Sequence, residues 1–203
     1  CGFKNPEDIV ITPDEEYMFI SEMGGVGPYV DIKPGYFALL NIENKSRIVP
    51  RISIKENIWG DPKCERGIKD EYGPHGIDLV QRNDGRFQLG VISHYPKESV
   101  EMFELKKING SWELFWRGCI DVPKNLYFND ISMKNNGNFY ATHMYKRGIT
   151  MNEWLINSIL KKDSGYLVEW DKFGFNVISG SEGSGPNGIA PVSYTHLRAH
   201  ETD

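Results

Sequence analysis

One short pattern recurs four times along this chain: Glu7-Asp8-Ile9, His75-Gly76-Ile77, Asn129-Asp130-Ile131 and Asn187-Gly188-Ile189. The steps from 7 to 75, 75 to 129 and 129 to 187 are 68, 54 and 58 residues. Tandem units of about 40–60 residues are the mark of a radial repeat such as a β-propeller, in which each unit buries its faces only against its neighbours. If the pattern marks the same strand in successive blades, its leading residues converge on one axis. Those residues are Glu, His, Asn and Asn, an oxygen-rich set with one imidazole, which suits a hard cation beside an acid–base group.

Strand signals return in the same order within each unit. Ile9–Thr12, Tyr17–Ser21 and Tyr36–Ile42 form the first set. Ile77–Val80, Phe87–Ser93, Val100–Leu105 and Trp112–Trp116 form the second, and Ile131–Met133, Phe139–Thr142, Tyr166–Trp170 and Phe175–Ile178 the third. Asp84-Gly85, Asn109-Gly110 and Asn136-Gly137 punctuate them, and such dipeptides between apolar runs are the strongest local hairpin signal because the turn needs positive φ. The fold class is therefore all-β: three blades (about 7–57, 75–118 and 129–178) and the first strand of a fourth starting at 187. One segment departs from the pattern. Met151–Leu160 has apolar residues near helical spacing, and it either caps the third blade or forms a lid or wall over the channel mouth, where Trp154 is a pocket-lining candidate.

The last stretch is of another kind. Val192–Thr202 reads like a one-frame translation of a sequencing-library adapter, so residues 191–203 are expected to be a non-native tail that interrupts the fourth repeat. Without Arg198, Glu201 and Asp203 the chain keeps 22 basic and 26 acidic residues. A mildly acidic, scattered charge argues against nucleic acid as a partner, and no apolar run is long enough for a membrane span. Cys1, Cys64 and Cys119 show no zinc spacing. Cys119 reads as a buried small hydrophobe, Cys64 as a loop residue without a role, and Cys1 as a free thiol. Gly180–Gly185 lacks the Lys-Ser/Thr of a phosphate loop, and no Gly-x-Ser-x-Gly elbow is present.

Glu7, Asn129 and Asn187 share one register and bring three side-chain oxygens toward the axis. Calcium takes six to eight oxygens and accepts neutral amides, so it suits this set better than zinc. Asp8 and Asp130 come next in two repeats. Strand alternation turns them to the opposite face unless the backbone bends there, in which case they line a second, deeper cation position with the carbonyl of Ile77. The alternative is that Asx residues at strand starts satisfy turn backbone; four matching repeats favour convergence. His75 holds the same register position, and His94 ends the next strand of its blade. A histidine pair beside a metal can take a proton from water near neutral pH, although a lone His94 bonded to a backbone carbonyl remains the alternative. His143, at the comparable strand end of the third blade, is a pocket-lining candidate.

Pro6–Ile9, Pro74–Ile77, Val91–Pro96, Val100–Phe103, Phe128–Ile131, Phe139–Thr142 and Asn187–Ile189 together resemble the paraoxonase/arylesterase family, within the wider group of six-bladed gluconolactonase-like propellers. The resemblance implies a six-bladed parent, with a catalytic calcium on Glu7, Asn129 and Asn187, and a structural calcium on Asp8, the carbonyl of Ile77 and Asp130. It also implies that His75 and His94 are a catalytic dyad and that Asn152–Leu160 is an active-site wall. The family completes its catalytic calcium shell with residues of a later blade, so residues 1–190 alone are expected to be inactive or nearly so. The implied activity is calcium-dependent hydrolysis of lactones or aryl esters, small molecules being the partners. A gluconolactonase-like sugar lactonase and a non-catalytic, calcium-stabilised binding propeller are the rival expectations. Weak calcium sites fill readily where calcium is millimolar, which favours an extracytoplasmic setting.

Overall fold

The computed structural model describes residues 2–67, 69–192 and 196–201, the backbone alone from 191 onward. It is nearly all β, with one short helix. The first sheet runs β1 (Pro6–Ile11), β2 (Tyr17–Glu22), β3 (Tyr36–Asn41) and β4 (Arg47–Ile48) in sequence order. The second holds β6 (Pro74–Gln81), β7 (Phe87–Ser93), β8 (Ser99–Ile108) and β9 (Ser111–Asp121), again in order. β5 (Ile52–Ile54), within the range first given to blade one, joins this second sheet as an outer strand parallel to β9. The third sheet is β10 (Phe128–Met133), β11 (Phe139–His143), β12 (Tyr166–Asp171) and β13 (Gly174–Val177). β14 (Pro186–Val192) opens the fourth and pairs with β15 (His196–Glu201), which lies in the segment read from sequence as a tail.

Turn chemistry sets these hairpins. Asn109 and Gly110 both have positive φ (50° and 83°), which a two-residue primed turn between β8 and β9 requires. Gly85 and Gly137 close equivalent turns, donating to the carbonyls of Arg82 and Lys134 at 2.9 and 2.8 Å. Each sheet is a blade, and the blades stack face to face. Phe19, Phe37, Leu39, Leu89, Val91, Phe103 and Leu114 fill the space between blades one and two. Ile92, Val100, Met102, Ile131, Met133, Phe139 and Val168 fill that between blades two and three. Blade two is therefore buried on both faces, which is why its strands lack clean polar alternation. Gly90 belongs to this interface: a Cβ there would lie 2.3 Å from the Met133 sulfur.

The innermost strands β1, β6, β10 and β14 pack side by side around the axis. In all four, the register slips within the recurring pattern: between Pro6 and Asp8, Pro74 and Ile77, Phe128 and Ile131, and Pro186 and Gly188. These bulges bend the strand so that consecutive residues need not alternate between faces. The bend is the condition under which both Glu7 and Asp8 look toward the centre.

Two cysteines correct the sequence reading. Cys64 and Cys119 form a disulfide, with Cα atoms 5.6 Å apart and a sequence separation of 55. The loop after β5 folds back across blade two because Gly60 sits where a Cβ would be 2.3 Å from the Cys119 amide nitrogen. Asn57 ties the same loop to the carbonyls of Asp61 and Cys64 at 2.8 and 3.0 Å. A buried ion pair, Arg66 with Glu101, anchors it further on. Cys119 is fully buried, as read, but as half of a crosslink. Cys1 lies outside the described residues.

The helix α1 (Met151–Ile159) lies between β11 and β12. Thr150 caps it, its hydroxyl accepting from the Glu153 amide while the Glu153 carboxylate accepts from the Thr150 amide at 3.0 Å. No residue of α1 is buried.

Candidate active site

His75 links three of the four leading positions. His75 on β6 reaches the Asn129 carbonyl on β10, its Nδ1 at 2.9 Å. A carbonyl only accepts, so Nδ1 carries the proton and Nε2 presents a lone pair. That Nε2 stands 3.6 Å from the Glu7 carboxylate on β1. The Asn187 carbonyl on β14 accepts from the Thr142 hydroxyl at 2.8 Å, and Thr142 in turn receives the Asp130 amide at 3.0 Å. Gly76 makes the approach possible: a Cβ there would stand 2.5 Å from both the Asn129 carbonyl oxygen and Asp130 Oδ1.

Asp8 and Asp130 also come together, on the inner edges of the blades. Each gives one oxygen to the amide of the following residue, Ile9 at 2.7 Å and Ile131 at 2.8 Å. The other oxygen accepts an amide from the next blade, Ile77 at 2.7 Å and Ile189 at 2.8 Å. It is thus the amide of Ile77 that meets Asp8. Asp78, absent from the sequence reading, does the same for Leu79 and Met133. Burial pushes all three carboxyls up: Asp78 to about 6, and Asp8 and Asp130 upward, the latter also by the charge of Asp8. Glu7 is raised by burial and then by Asp8.

The hydroxyls behind these bulges escaped notice in the sequence. Ser21 and Thr142 accept the amides of Asp8 and Asp130, each at 3.0 Å, and Ser93 accepts that of Gly73 at 3.0 Å. All three sit near the end of the second strand of a blade and are wholly buried. Their common position, one residue before Glu22, His94 and His143, is the signal that finds them.

His75 and His94 pack edge to face, with ring centroids 4.9 Å apart. Burial, and then the charge of His94, pulls His75 down to about 3, so it is a neutral imidazole at physiological pH. His94 stacks on Tyr127 at 4.6 Å, and Tyr127 on Tyr145 at 5.2 Å. Both carboxylate oxygens of Glu98 lie 2.9 Å from His94 Nδ1. His143 is buried; its Nδ1 accepts the Tyr127 amide at 3.0 Å, and burial draws it down to about 4.

Two cavities adjoin these groups. One of about 440 Å³ is lined by Asn187, Tyr29, Tyr145, Trp154, Asn157 and Lys161 among others. The second, of about 360 Å³, is lined by His94, Glu98, Tyr127, Tyr145 and Arg147. Tyr145 and Ile149 border both. Trp154 meets Tyr29 edge to face at 5.2 Å, and His143 lines neither cavity.

The donor set fits a hard cation chemically. Glu7 supplies a partly desolvated carboxylate with no Lys or Arg beside it among the described residues. The backbone carbonyls of Asn129 and Asn187 are engaged, and no hydrogen bond occupies their side-chain amides among those residues. No group of three His, Cys, Asp or Glu side chains is assembled as a metal cluster among the described residues; the oxygens at hand are carboxylate, amide and backbone.

No family model matches the sequence, and no curated protein matches it. Among solved structures, the crystal structure of a Thermus thermophilus protein whose given name is oxidoreductase (glucose dehydrogenase) aligns with a TM-score of 0.47 and 13% identity. The alignment covers 98% of this chain and 58% of that one, so the chain spans little more than half of its neighbour's length. The paraoxonase/arylesterase resemblance thus rests on the motifs themselves.

Proposed function

We propose that this chain carries the hydrolytic centre of a calcium-dependent lactone or aryl-ester hydrolase. The observation that carries the reading is His75 between two other repeat-leading positions, its Nδ1 bonded to the Asn129 carbonyl and the lone pair of its Nε2 3.6 Å from the Glu7 carboxylate. Glu7, Asn129 and Asn187 would hold the catalytic calcium, and Asp8, Asp130 and the Ile77 carbonyl a structural one. When bound, calcium polarises an ester carbonyl and stabilises the oxyanion that develops on it. The chain's own part is proton handling and orientation. His75, fixed by Asn129, presents an unprotonated nitrogen to water, and His94 packs against it to share the proton it takes. Tyr29, Tyr145 and Trp154 offer aromatic walls to an apolar acyl or aryl group. The disulfide fits an oxidising, calcium-rich compartment outside the cytoplasm.

Three side chains fill only part of a shell of six to eight oxygens, so binding should be weak and turnover slow. The test is thermal stability and hydrolysis of phenyl acetate and γ-lactones in millimolar calcium and in chelator. Expected are a calcium-induced rise in Tm that Glu7→Gln reduces, and turnover by this chain that is nearly absent, any remnant of it being abolished by chelator or His75→Gln. Turnover indifferent to chelator refutes the reading. Little loss in His75→Gln would favour a sugar lactonase, and calcium stabilisation without turnover on any ester in a chain that carries the later blades would leave a binding propeller.

A further inference from the structure

Glu98 is the group around His94 that the repeats and the implied dyad leave unexplained. It stands at the start of the segment leading into β8, only 6% exposed. A carboxylate so buried needs a cation or several donors to offset its desolvation. Among the described residues no Lys or Arg side chain pairs with Glu98; the adjacent Lys97 turns instead to Asp121 at 2.7 Å. Its side-chain partner is His94 Nδ1, equidistant from both oxygens at 2.9 Å. An ionised carboxylate only accepts, so this contact holds the His94 proton on Nδ1 and leaves Nε2 bare. Nε2 is itself buried, without a hydrogen-bond partner among the described residues. The ring is held flat by Tyr127 on one face and meets the His75 edge at 4.9 Å.

We propose that Glu98 is the positioning residue of this site: it fixes the tautomer of His94, aims its Nε2 lone pair, and stabilises the imidazolium that forms when His94 accepts a proton. This deepens the hydrolase reading and rests on it for the reaction served. In that reaction an O–H bond of water breaks and its proton passes to the imidazole pair as the oxygen bonds to the acyl carbon and the carbonyl π pair moves onto its own oxygen; when that pair returns, the ester C–O bond breaks and the leaving alkoxide takes the proton from the imidazole pair. Two imidazoles in contact do not both carry charge, and Glu98 biases the charge to His94, the member farther from Glu7. The charged and titratable groups near His94 are Glu98, His75 and Tyr127, with Arg147 and Lys97 along the same cavity and Glu7 at longer range. Of these, Glu98 is the one whose side chain contacts a His94 ring nitrogen.

The test is long-range ¹H–¹⁵N spectroscopy of the histidine side chains of the full chain, with His94→Gln for assignment. The wild-type protein should show His94 as the Nδ1–H tautomer above its pKa. A glutamine amide donates as well as accepts, so Glu98→Gln should raise the share of the Nε2–H tautomer of His94. Glu98→Asp, which keeps the charge, should restore most of the Nδ1–H tautomer and serves where Glu98→Gln folds poorly. Where turnover is measurable, Glu98→Gln should lower kcat about tenfold with little change in KM. A His94 resting as the Nε2–H tautomer, or a tautomer balance unmoved in Glu98→Gln, overturns the assignment. The spectroscopic result decides the role of Glu98 with or without turnover; turnover indifferent to chelator, with that result intact, removes the hydrolase reading alone.

Discussion

The Cys64–Cys119 bridge allows a stability effect to be worked from the structure. It closes a loop of about 55 residues, from the segment after β5 to the C-terminal end of β9. In the chain-entropy account, closing a loop of that size removes about 14 cal/mol/K from the unfolded ensemble, or about 4 kcal/mol at 25 °C. The folded state should change little without the bridge. Asn57, the Arg66–Glu101 ion pair and the close contact of Gly60 with Cys119 hold the loop independently. For a domain of this size each kcal/mol is about 2–4 °C of melting temperature, so Cys64→Ala/Cys119→Ala should melt about 10 °C below the wild type. Reduced wild-type protein should fall with it. Thiol labelling in denaturant gives the independent check: of three cysteines, one should react before reduction. Three reactive thiols, or a loss below about 1 kcal/mol in the double variant, would refute the reasoning.

Four further outcomes follow from the inner strands. Asp78 has its pKa raised in the fold to about 6; an acid so shifted binds protons more tightly folded than unfolded, so its stability contribution is full below about pH 4 and is lost as pH rises through about 6. Melting in chelator should therefore fall between pH 4.5 and 7.5, Asp8 and Asp130 extending the loss upward, and millimolar calcium should flatten it; a level profile in chelator sinks the idea. Gly76→Ala forces a Cβ to 2.5 Å from two oxygens and should cost about 1–3 kcal/mol in urea unfolding. Thr142→Val leaves the Asp130 amide without its acceptor and the Asn187 carbonyl without its donor, a loss of about 1–3 kcal/mol by the same assay. Asp130→Asn keeps one acceptor oxygen for two amides but ends its repulsion with Asp8; in chelator these should offset within about 1 kcal/mol, while the calcium-induced rise in Tm disappears.

How far the sequence could be read follows from which interactions are local. Asn109-Gly110 and Asn136-Gly137 announce their hairpins because the turn conformation is a property of those residues alone. The apolar spacing of Met151–Leu160 likewise marks the helix, which Thr150 and Glu153 cap. The recurring pattern put Glu7, His75 and Asn129 in one register; in the structure His75 bonds the backbone carbonyl of Asn129 and stands 3.6 Å from the Glu7 carboxylate. What stayed hidden depends on chain segments far apart. The inner-strand bulges are held by hydroxyls more than ten residues away, and Ser21, Ser93 and Thr142 look like ordinary strand residues. Cys64 finds Cys119 only because a loop folds over a neighbouring blade. Glu98 reads as a surface charge in a polar turn until that turn is seen tucked beneath His94.

The inner edge of each blade explains why charge collects where it does. A strand that ends a sheet leaves its amides unpaired, and buried amides must find acceptors. Here the acceptors come from the preceding blade: Asp8 reaches Ile77, Asp78 reaches Met133, and Asp130 reaches Ile189. A neutral acceptor would satisfy each amide, yet it would not bond its own following amide as well, which the second carboxylate oxygen does for Ile9, Leu79 and Ile131. The same carboxylates that join blade to blade therefore converge on the axis, where each raises the proton affinity of the next. Repulsion at such a centre weakens the joint that creates it unless protons or a cation offset it. On the proposed reading, calcium is the counter-charge that lets the blades close around Asp8 and Asp130, and the bulge that turns Asp8 inward is the one that brings Glu7 to His75. Assembly of the axis and assembly of the catalytic site would then be one event.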